Sequence, residues 1–413
     1  MTCRVCGRPL EDGDTILDLG LMPLANAFLD SPDQAEQMFP LALCVCSPCG
    51  TVQLRQGVDP AMLFGGDYAY HSSVNSPYVD QCHALVDSLV SRLALGPDDL
   101  VAEIGSNDGY LLARYVEHGV PAIGWEPADN LAEQSRAAGV CTRQEFFTRQ
   151  SGGLIRGTAR VIHANNVLAH APGIIDILEG VHAGLAPDGL LVVETPYVAP
   201  LVAHCLYDTA YHEHLFYWSL TAFSRACRRA DLAVVDVERL ASHGGSLRVT
   251  VMHQGAAQPT PAVAAMFDAE RRAGMAGRDF YTDLQKRVDL RIETVRAGLV
   301  DLAASGARIA GYGAAAKGTM LLNALRLPEG TIEYVVDATP GKQGRYLPGV
   351  HVPVRHPDVL AQDPPDVILV LAWNWSSRIV EQHPEFGGRW LVPMPELRDP
   401  TDQSYLYGSK GAP

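Results

Sequence analysis

The run YHEH, Tyr211 to His214, lies within LYDTAYHEHLFYW and puts four proton-handling side chains in an apolar, aromatic setting. An imidazole has an unperturbed pKa of about 6.5, so a histidine here can take or return a proton near neutrality. Side chains two apart on a strand share a face, so His212 and His214 could instead serve one metal. Catalytic metal sites recruit further ligands, however, and no H-x-x-x-H pair or second acidic cluster is evident in the chain. An acid/base site is the favoured reading; a metal site and a buried hydrogen-bonded network compete with it.

The cysteines pose a separate question. Of nine, five fall in the first fifty residues: Cys3, Cys6, Cys44, Cys46 and Cys49. Cys3-x-x-Cys6 and Cys46-x-x-Cys49 form two knuckles, followed by Gly7 and Gly50. Four sulfurs in this pattern suit a closed tetrahedral Zn2+ site, which is structural rather than catalytic. Cys44 could replace Cys46 only in a poorer knuckle.

Two glycine-rich turns could each hold a cofactor. The first, VAEIGSNDGYLL, ends an apolar strand at Gly105 and starts a helix near Tyr110. Glycine lets backbone pass close beneath a ligand, and a helix N-terminus favours negative charge. The acidic Glu103 and Asp108 suit a pyrophosphate poorly and a cationic amino-acid tail well. The next strand, AIGWEP, ends in Glu126, placed to accept from two ribose hydroxyls. Together these features describe S-adenosyl-L-methionine (SAM) better than NAD. Glu103, Gly105, Asn107, Asp108, Gly109, Glu126, Pro127 and Asn165 are the expected cofactor residues. The second turn, GYGAAAKG from Gly311, has the G-x-G-x-x-A spacing of a dinucleotide site, with Asp337 closing the next strand. An NAD-dependent sugar-nucleotide oxidoreductase is therefore the rival reading. Lys317 at the helix start would grip phosphate, and Lys342, Arg345 and Arg355 add positive charge nearby, so the loop could equally hold a diphosphate.

The elements that must position these groups follow from composition and pattern. A chain of 413 residues is too long for one ordinary core. With 47% hydrophobic and 19% charged residues it reads as soluble and globular, and a net charge of −15 argues against nucleic-acid binding. No apolar run reaches spanning length and the start has no signal-peptide layout, so a cytoplasmic, reducing setting without membrane association is expected. The predicted organisation is a zinc-binding module over 1–68, a doubly wound α/β domain over 69–259, a helical connector over 260–305 and a C-terminal α/β domain over 306–413. Alternating strands (DLVAEIG, AIGWEP, RVIHANNV, GLLVVETP) and helices predict the parallel sheet of the second unit. ARIAGYG, EYVVDATP, GVHVPVRHP and DVILVLAWNW predict that of the last.

In their order along the chain, the knuckles, DYAYHSS, EIGSNDGYLL, NNVLAH, ETPY, YHEHLFYWS, HGGSLRV, GYGAAAKG, VVDATPGKQGRYLPG and LAWNW resemble the SAM-dependent C-methyltransferases of nucleotide-sugar biosynthesis. These act on TDP-linked 4-keto deoxysugars, in the manner of the tetronitrose C-3 methyltransferase. The resemblance implies a zinc domain, a central class I SAM methyltransferase domain and a C-terminal Rossmann-like domain that helps bind the nucleotide sugar. It implies methylation at C-3 through an enolate, which requires a base at C-3 and donors at the oxygen that takes the charge. His214 is assigned as base, Glu213 as its neighbour's orienter or a sugar ligand, and Tyr211 as donor to the C-4 oxygen. His170, ending NNVLAH, ranks second as base or as enolate stabiliser. Tyr68 and Tyr70 are both candidates to close the pocket from the zinc module, and the sequence does not choose between them. His243, Arg248, Lys317, Lys342, Arg345 and Trp373 are the expected contacts to sugar, diphosphate or base.

Overall fold

The computed structural model describes residues 1–64, 68, 71–74 and 76–400. Three sheets organise them. Antiparallel β1 (Thr15–Pro23), β2 (Met38–Cys46) and β3 (Thr51–Leu54) form the N-terminal sheet. The central strands are β4 (Leu100–Ile104), β5 (Ala122–Trp125), β6 (Cys141–Arg143), β7 (Ala159–Asn165) and β8 (Leu185–Pro196). Then come β9 (Phe216–Tyr217), β10 (Leu232–Leu240) and β11 (Ser246–His253). The C-terminal strands are β12 (Ile309–Tyr312), β13 (Val335–Val336), β14 (Val354–Arg355), β15 (Val367–Val370) and β16 (Arg389–Leu391).

The seven-stranded central sheet runs β6-β5-β4-β7-β8-β11-β10, parallel except for β11. Its strands read as continuous apolar runs because helices cover both faces; Val101, Ala102, Val161, Ile162, Leu191 and Val193 are buried. The chain enters in the middle at β4, moves outward to β5 and β6, then returns to the other side of β4 with β7. That reversal leaves a crevice beyond the carboxyl ends of β4 and β7, where open α/β sheets bind ligands. The five-stranded C-terminal sheet, order β14-β13-β12-β15-β16, is parallel throughout and repeats the device, its reversal falling between β12 and β15. The predicted α/β architecture is therefore present twice.

Two helices, Pro261–Ala273 and Leu284–Ala304, connect the two α/β sheets. The first carries a buried carboxylate, Glu270, whose oxygens accept from the Leu220 and Thr221 amides at 2.7 and 2.8 Å. These are orphan donors at the start of the helix Leu220–Arg228, where a negative charge also meets the positive end of the helix dipole. Ser219 caps the same helix through its hydroxyl.

One pairing was not expected from sequence. β9, only two residues long and directly after YHEH, joins the N-terminal sheet by pairing with β3. The Leu54 amide donates to the Leu215 carbonyl at 2.9 Å, and the Arg4 guanidinium between the first knuckle cysteines donates to the Leu54 carbonyl at 2.7 Å. A long-range strand this short has no periodicity to betray it. Its consequence is that the N-terminal sheet grips the segment carrying Tyr211 and His214.

Candidate active site

A single cleft of about 770 Å³ runs from the crevice at β4 and β7 to the one at β12 and β15. At the first end Gly105, Asn107, Glu126, Pro127 and Asn165 line it. Gly105 takes φ +65°, and a Cβ there would lie 2.7 Å from Val167, so only glycine lets the loop after β4 pass the loop after β7. Gly109 (φ +83°) likewise closes against Ser135. Glu126 is anchored by one backbone amide on each oxygen, Asn107 and Ala128 at 2.9 Å, and each oxygen retains accepting capacity.

The electrostatics of this end are lopsided. Glu103, below the floor and not lining the cleft, is 1% exposed and neither carboxylate oxygen has a partner. One oxygen of Asp108 is also buried and unpartnered, the other accepting from the Ser73 amide. Burial, then the charges of Asp108 and Glu126, pushes the Glu103 carboxyl well up. Three carboxylates crowded this way call for a cationic ligand, and the ammonium and sulfonium of SAM fit that demand where a pyrophosphate does not.

The other end has the opposite character. Gly313 (φ +95°) follows β12, and a Cβ there would lie 2.9 Å from Ala372, after β15. Asp337 accepts from the Ala314 and Thr339 amides at 2.8 Å, and Lys342 sits 3.6 Å from it. The Lys342 ammonium donates to the Ala314 carbonyl at 3.0 Å. Lys317 and Lys342 both line the cleft.

Between the ends stands the YHEH motif, and its two histidines part company. His212 packs edge-on against Phe39 of the N-terminal sheet, while His214 faces the cleft. His214 Nδ1 lies 3.2 Å from the Thr209 carbonyl, which can only accept, so Nδ1 carries the proton. Nε2 is then the lone-pair nitrogen, and the Tyr211 hydroxyl donates to it at 2.7 Å. The His170 ring meets His214 edge-to-face at 4.9 Å, and burial pushes the His170 imidazole down to about 4. Glu213 accepts from Tyr68 at 2.7 Å and from the Asn26 amide at 2.6 Å. Burial pushes its carboxyl up to about 7, against the pull of those two donors.

Other expected contacts lie elsewhere. Arg248, on β11, faces Glu194 and Glu238 rather than the cleft. Arg345 clasps Asp30 at 2.8 Å and the Phe28 carbonyl at 2.7 Å, joining the C-terminal and N-terminal regions. Arg355 lies over the Tyr334 ring. Trp373 is buried with its indole N–H donating to Asp208 at 2.6 Å; Trp375 lines the cleft instead. His243 lies in the turn Ser242–Gly244, whose Gly244 borders the cleft. Tyr70 falls outside the described residues. Sequence reasoning missed Asn26, Asp208, Thr209 and Arg378. Asp208 and Thr209 lie just ahead of YHEH without a chemical signature of their own, whereas Asn26 and Arg378 reach this region only through tertiary folding.

The four knuckle cysteines converge, with all ligand atoms within 4.8 Å of one another and Sγ–Sγ distances of 3.5 Å for Cys3–Cys49 and Cys6–Cys46. A tetrahedron with zinc–sulfur bonds of about 2.3 Å needs separations of roughly 3.8 Å. The Cys3 thiol, hydrogen-bonded to Cys49, holds Cys49 down to about 4, while Cys46 is pushed up to about 12. Four sulfurs so close cannot all ionise without a cation among them, so the donor set fits Zn2+. Cys44 stands apart, directed at the Gln53 carbonyl.

Three family models match in tandem: a zinc binding domain over residues 3–64, a methyltransferase domain over 78–237 and a C-methyltransferase C-terminal domain over 241–395. The C-methyltransferase NovU of Streptomyces niveus is 38% identical over 416 residues, spanning 98% of each chain. The chain belongs to this C-methyltransferase family. The resemblance read from its motifs is borne out, and the enzyme is a SAM-dependent C-methyltransferase with a zinc-binding N-terminal region. Among solved structures, the PH0226 protein of Pyrococcus horikoshii covers 48% of this chain and 100% of its own, at 11% identity and TM-score 0.38. The geranyl diphosphate C-methyltransferase of Streptomyces coelicolor covers 43% and 84%, at 13% identity and TM-score 0.32. Likeness at that level carries no argument about this chain. Among the described residues no helix is long and apolar enough to cross a membrane.

Proposed function

We propose that the enzyme methylates C-3 of a TDP-linked 4-keto-6-deoxysugar. The observation that carries this reading is the Thr209–His214–Tyr211 array, set between a cation-seeking crevice and a lysine-bearing one. A C-3 proton is acidic only because the neighbouring C-4 carbonyl accepts the charge as an enolate. His214 Nε2 holds a lone pair for that proton, and its tautomer is set by Thr209 before substrate arrives. Tyr211, whose hydroxyl rests on Nε2, turns its proton to the C-4 oxygen as charge develops there. His170 is the poorer base, because an imidazole pushed down to about 4 holds a proton weakly; it buttresses the His214 ring. Glu213, with Tyr68 and Asn26, hydrogen-bonds the sugar.

Bound SAM supplies an electrophilic methyl group. The chain's contribution is to bind it through Glu126 and the carboxylates beneath Gly105, and to keep water from the enolate by enclosing the cleft. Lys317 and Lys342 hold the diphosphate, and Trp375 offers a stacking face for the thymine. In this reading residues 1–68, 69–259, 260–305 and 306–413 divide the labour as zinc module, SAM domain, connector and nucleotide-sugar domain. The oxidoreductase alternative is disfavoured by the match to a C-methyltransferase over 98% of the chain.

The test is mass spectrometry of products from a panel of TDP-4-keto sugars with SAM, paired with C-3 proton exchange in deuterated water without SAM. His214→Asn should suppress both exchange and methyl transfer while S-adenosylhomocysteine affinity is unchanged. A variant that turns over normally removes His214 as base. Methylation of no 4-keto sugar in the panel removes the substrate class.

A further inference from the structure

Asp208 lies three residues ahead of YHEH in the turn Tyr207–Thr209, is completely buried, and is absent from the chemistry above. One carboxylate oxygen accepts the Trp373 indole N–H at 2.6 Å; the other has no hydrogen-bond partner. A buried carboxylate with one oxygen unanswered is costly unless a nearby positive charge offsets it. That charge is Lys317, whose ammonium lies 5.1 Å from the centre of the Trp373 ring, the ring that also binds Asp208. Gly244 permits this packing, since a Cβ there would meet Trp373 at 2.7 Å. Lys317 opens the helix Ala316–Leu325 and lines the cleft.

We propose that Asp208 is a positioning residue for the nucleotide end of the substrate, the counter-charge that holds the Lys317 ammonium ready for an anionic diphosphate. The inference rests on the reading of Lys317 as a diphosphate ligand. Lys317 needs such help because burial pushes its ammonium down, toward the neutral amine that binds phosphate poorly, and Asp208 is the charge that pulls it back up. Burial in turn pushes the Asp208 carboxyl up, opposed first by the Lys317 charge and then by the Trp373 hydrogen bond. The other charged groups along this end of the cleft are Asp337, Lys342 and Arg378. Asp337 is matched by Lys342 and by two amides, so it does not serve Lys317.

Binding is the right readout, because the same turn carries Thr209, the carbonyl partner of His214, and turnover would report both. Thymidine diphosphate (TDP) affinity is measured by calorimetry on the full protein from pH 6 to 9, with S-adenosylhomocysteine affinity as a fold control. Asp208→Asn keeps an acceptor for Trp373 and removes the charge. At pH 6 it should bind TDP at least as tightly as the parent, because a charge that repels phosphate is gone. Above the lowered lysine pKa its affinity should fall about tenfold per pH unit, toward the level set by the remaining contacts. Adding Lys317→Arg should flatten that dependence, because a guanidinium stays charged throughout. An Asp208→Asn profile that parallels the parent overturns the inference. Lys317→Met binding TDP as the parent does overturns the reading beneath it. If Asp208→Asn does not fold, Lys317→Arg alone decides: lysine and arginine should bind TDP equally through pH 8, and an arginine advantage below pH 8 refutes the counter-charge role.

Discussion

The turn after β4 and the turn after β12 are built on one plan and end with opposite appetites. Each follows the strand at which its sheet reverses direction, and each has a glycine at positive φ: Gly105 against Val167, Gly313 against Ala372. The backbones therefore offer the same open crevice. The difference lies in what stands behind them. Behind Gly105, the carboxylates of Glu103 and Asp108 keep buried oxygens without partners. Behind Gly313, the carboxylate of Asp337 is satisfied by amides and Lys342, and a second lysine reaches the cleft. Glycine spacing marks two open crevices, and the charged groups that stand beside them differ in sign.

Five experiments break or sharpen this contrast. Zinc removal should have the largest effect: structural zinc is worth roughly 10 kcal/mol in small zinc folds, and the strand that follows YHEH pairs with the zinc-held sheet. Chelation should lower the melting temperature of the N-terminal region and scatter the loop between the turns. A zinc-free protein with an unchanged melting profile that loses only kcat would contradict this. Next, His214→Asn should reduce kcat by about 10²- to 10⁴-fold with S-adenosylhomocysteine and TDP affinities intact, since the proposed base lies between the two crevices. Equal losses in binding and turnover would instead make His214 a ligand contact.

Glu213 supplies a pH test on the same loop. Its carboxyl is raised to about 7 in the folded chain by burial, so between roughly pH 4.5 and 7 the unfolded chain has released a proton that the folded chain retains. Stability therefore falls as pH rises through that window and stays low above it, by about 3 kcal/mol. Glu213→Gln should remove the slope, read as melting temperature against pH. Lys317→Met should weaken TDP binding by about 10- to 100-fold, the range for a charge-assisted hydrogen bond, and spare S-adenosylhomocysteine. Smallest and most diagnostic is the glycine exchange. An alanine forced into left-handed backbone costs roughly 1–2 kcal/mol, about tenfold in affinity. Gly105→Ala should show it with S-adenosylhomocysteine alone, Gly313→Ala with TDP alone. Loss of both ligands in either variant would mean that the crevices are not separate.

Some of this was readable from residue types in order. The cysteine knuckles needed only their spacing, because two C-x-x-C turns are locally rigid and only their meeting is long-range. The first glycine turn was readable too, since strand, glycine and acid are consecutive from Glu103 to Asp108. Side chains that act across the fold were not. Trp373 resembles a base-stacking residue in LAWNW, yet the helical turn Trp373–Trp375 that ends the segment turns it inward to Asp208 and leaves Trp375 in the cleft. Arg345 and Arg248 looked like phosphate ligands because cations are easy to see in a sequence, whereas their carboxylate partners are distant in the chain.

By itself the sequence determined the zinc knuckles, two crossover sheets with glycine at their turns, and a cluster of titratable side chains among aromatics, because each depends on contacts a few residues apart. Tertiary structure alone decided that His214 rather than His212 faces the cleft, which tautomer it holds, that Asn26 reaches Glu213, and that Asp208 stands near Lys317. Those outcomes depend on which strands pair across long stretches of chain and on how burial shifts a proton's preference, and neither is encoded in any short run of residues.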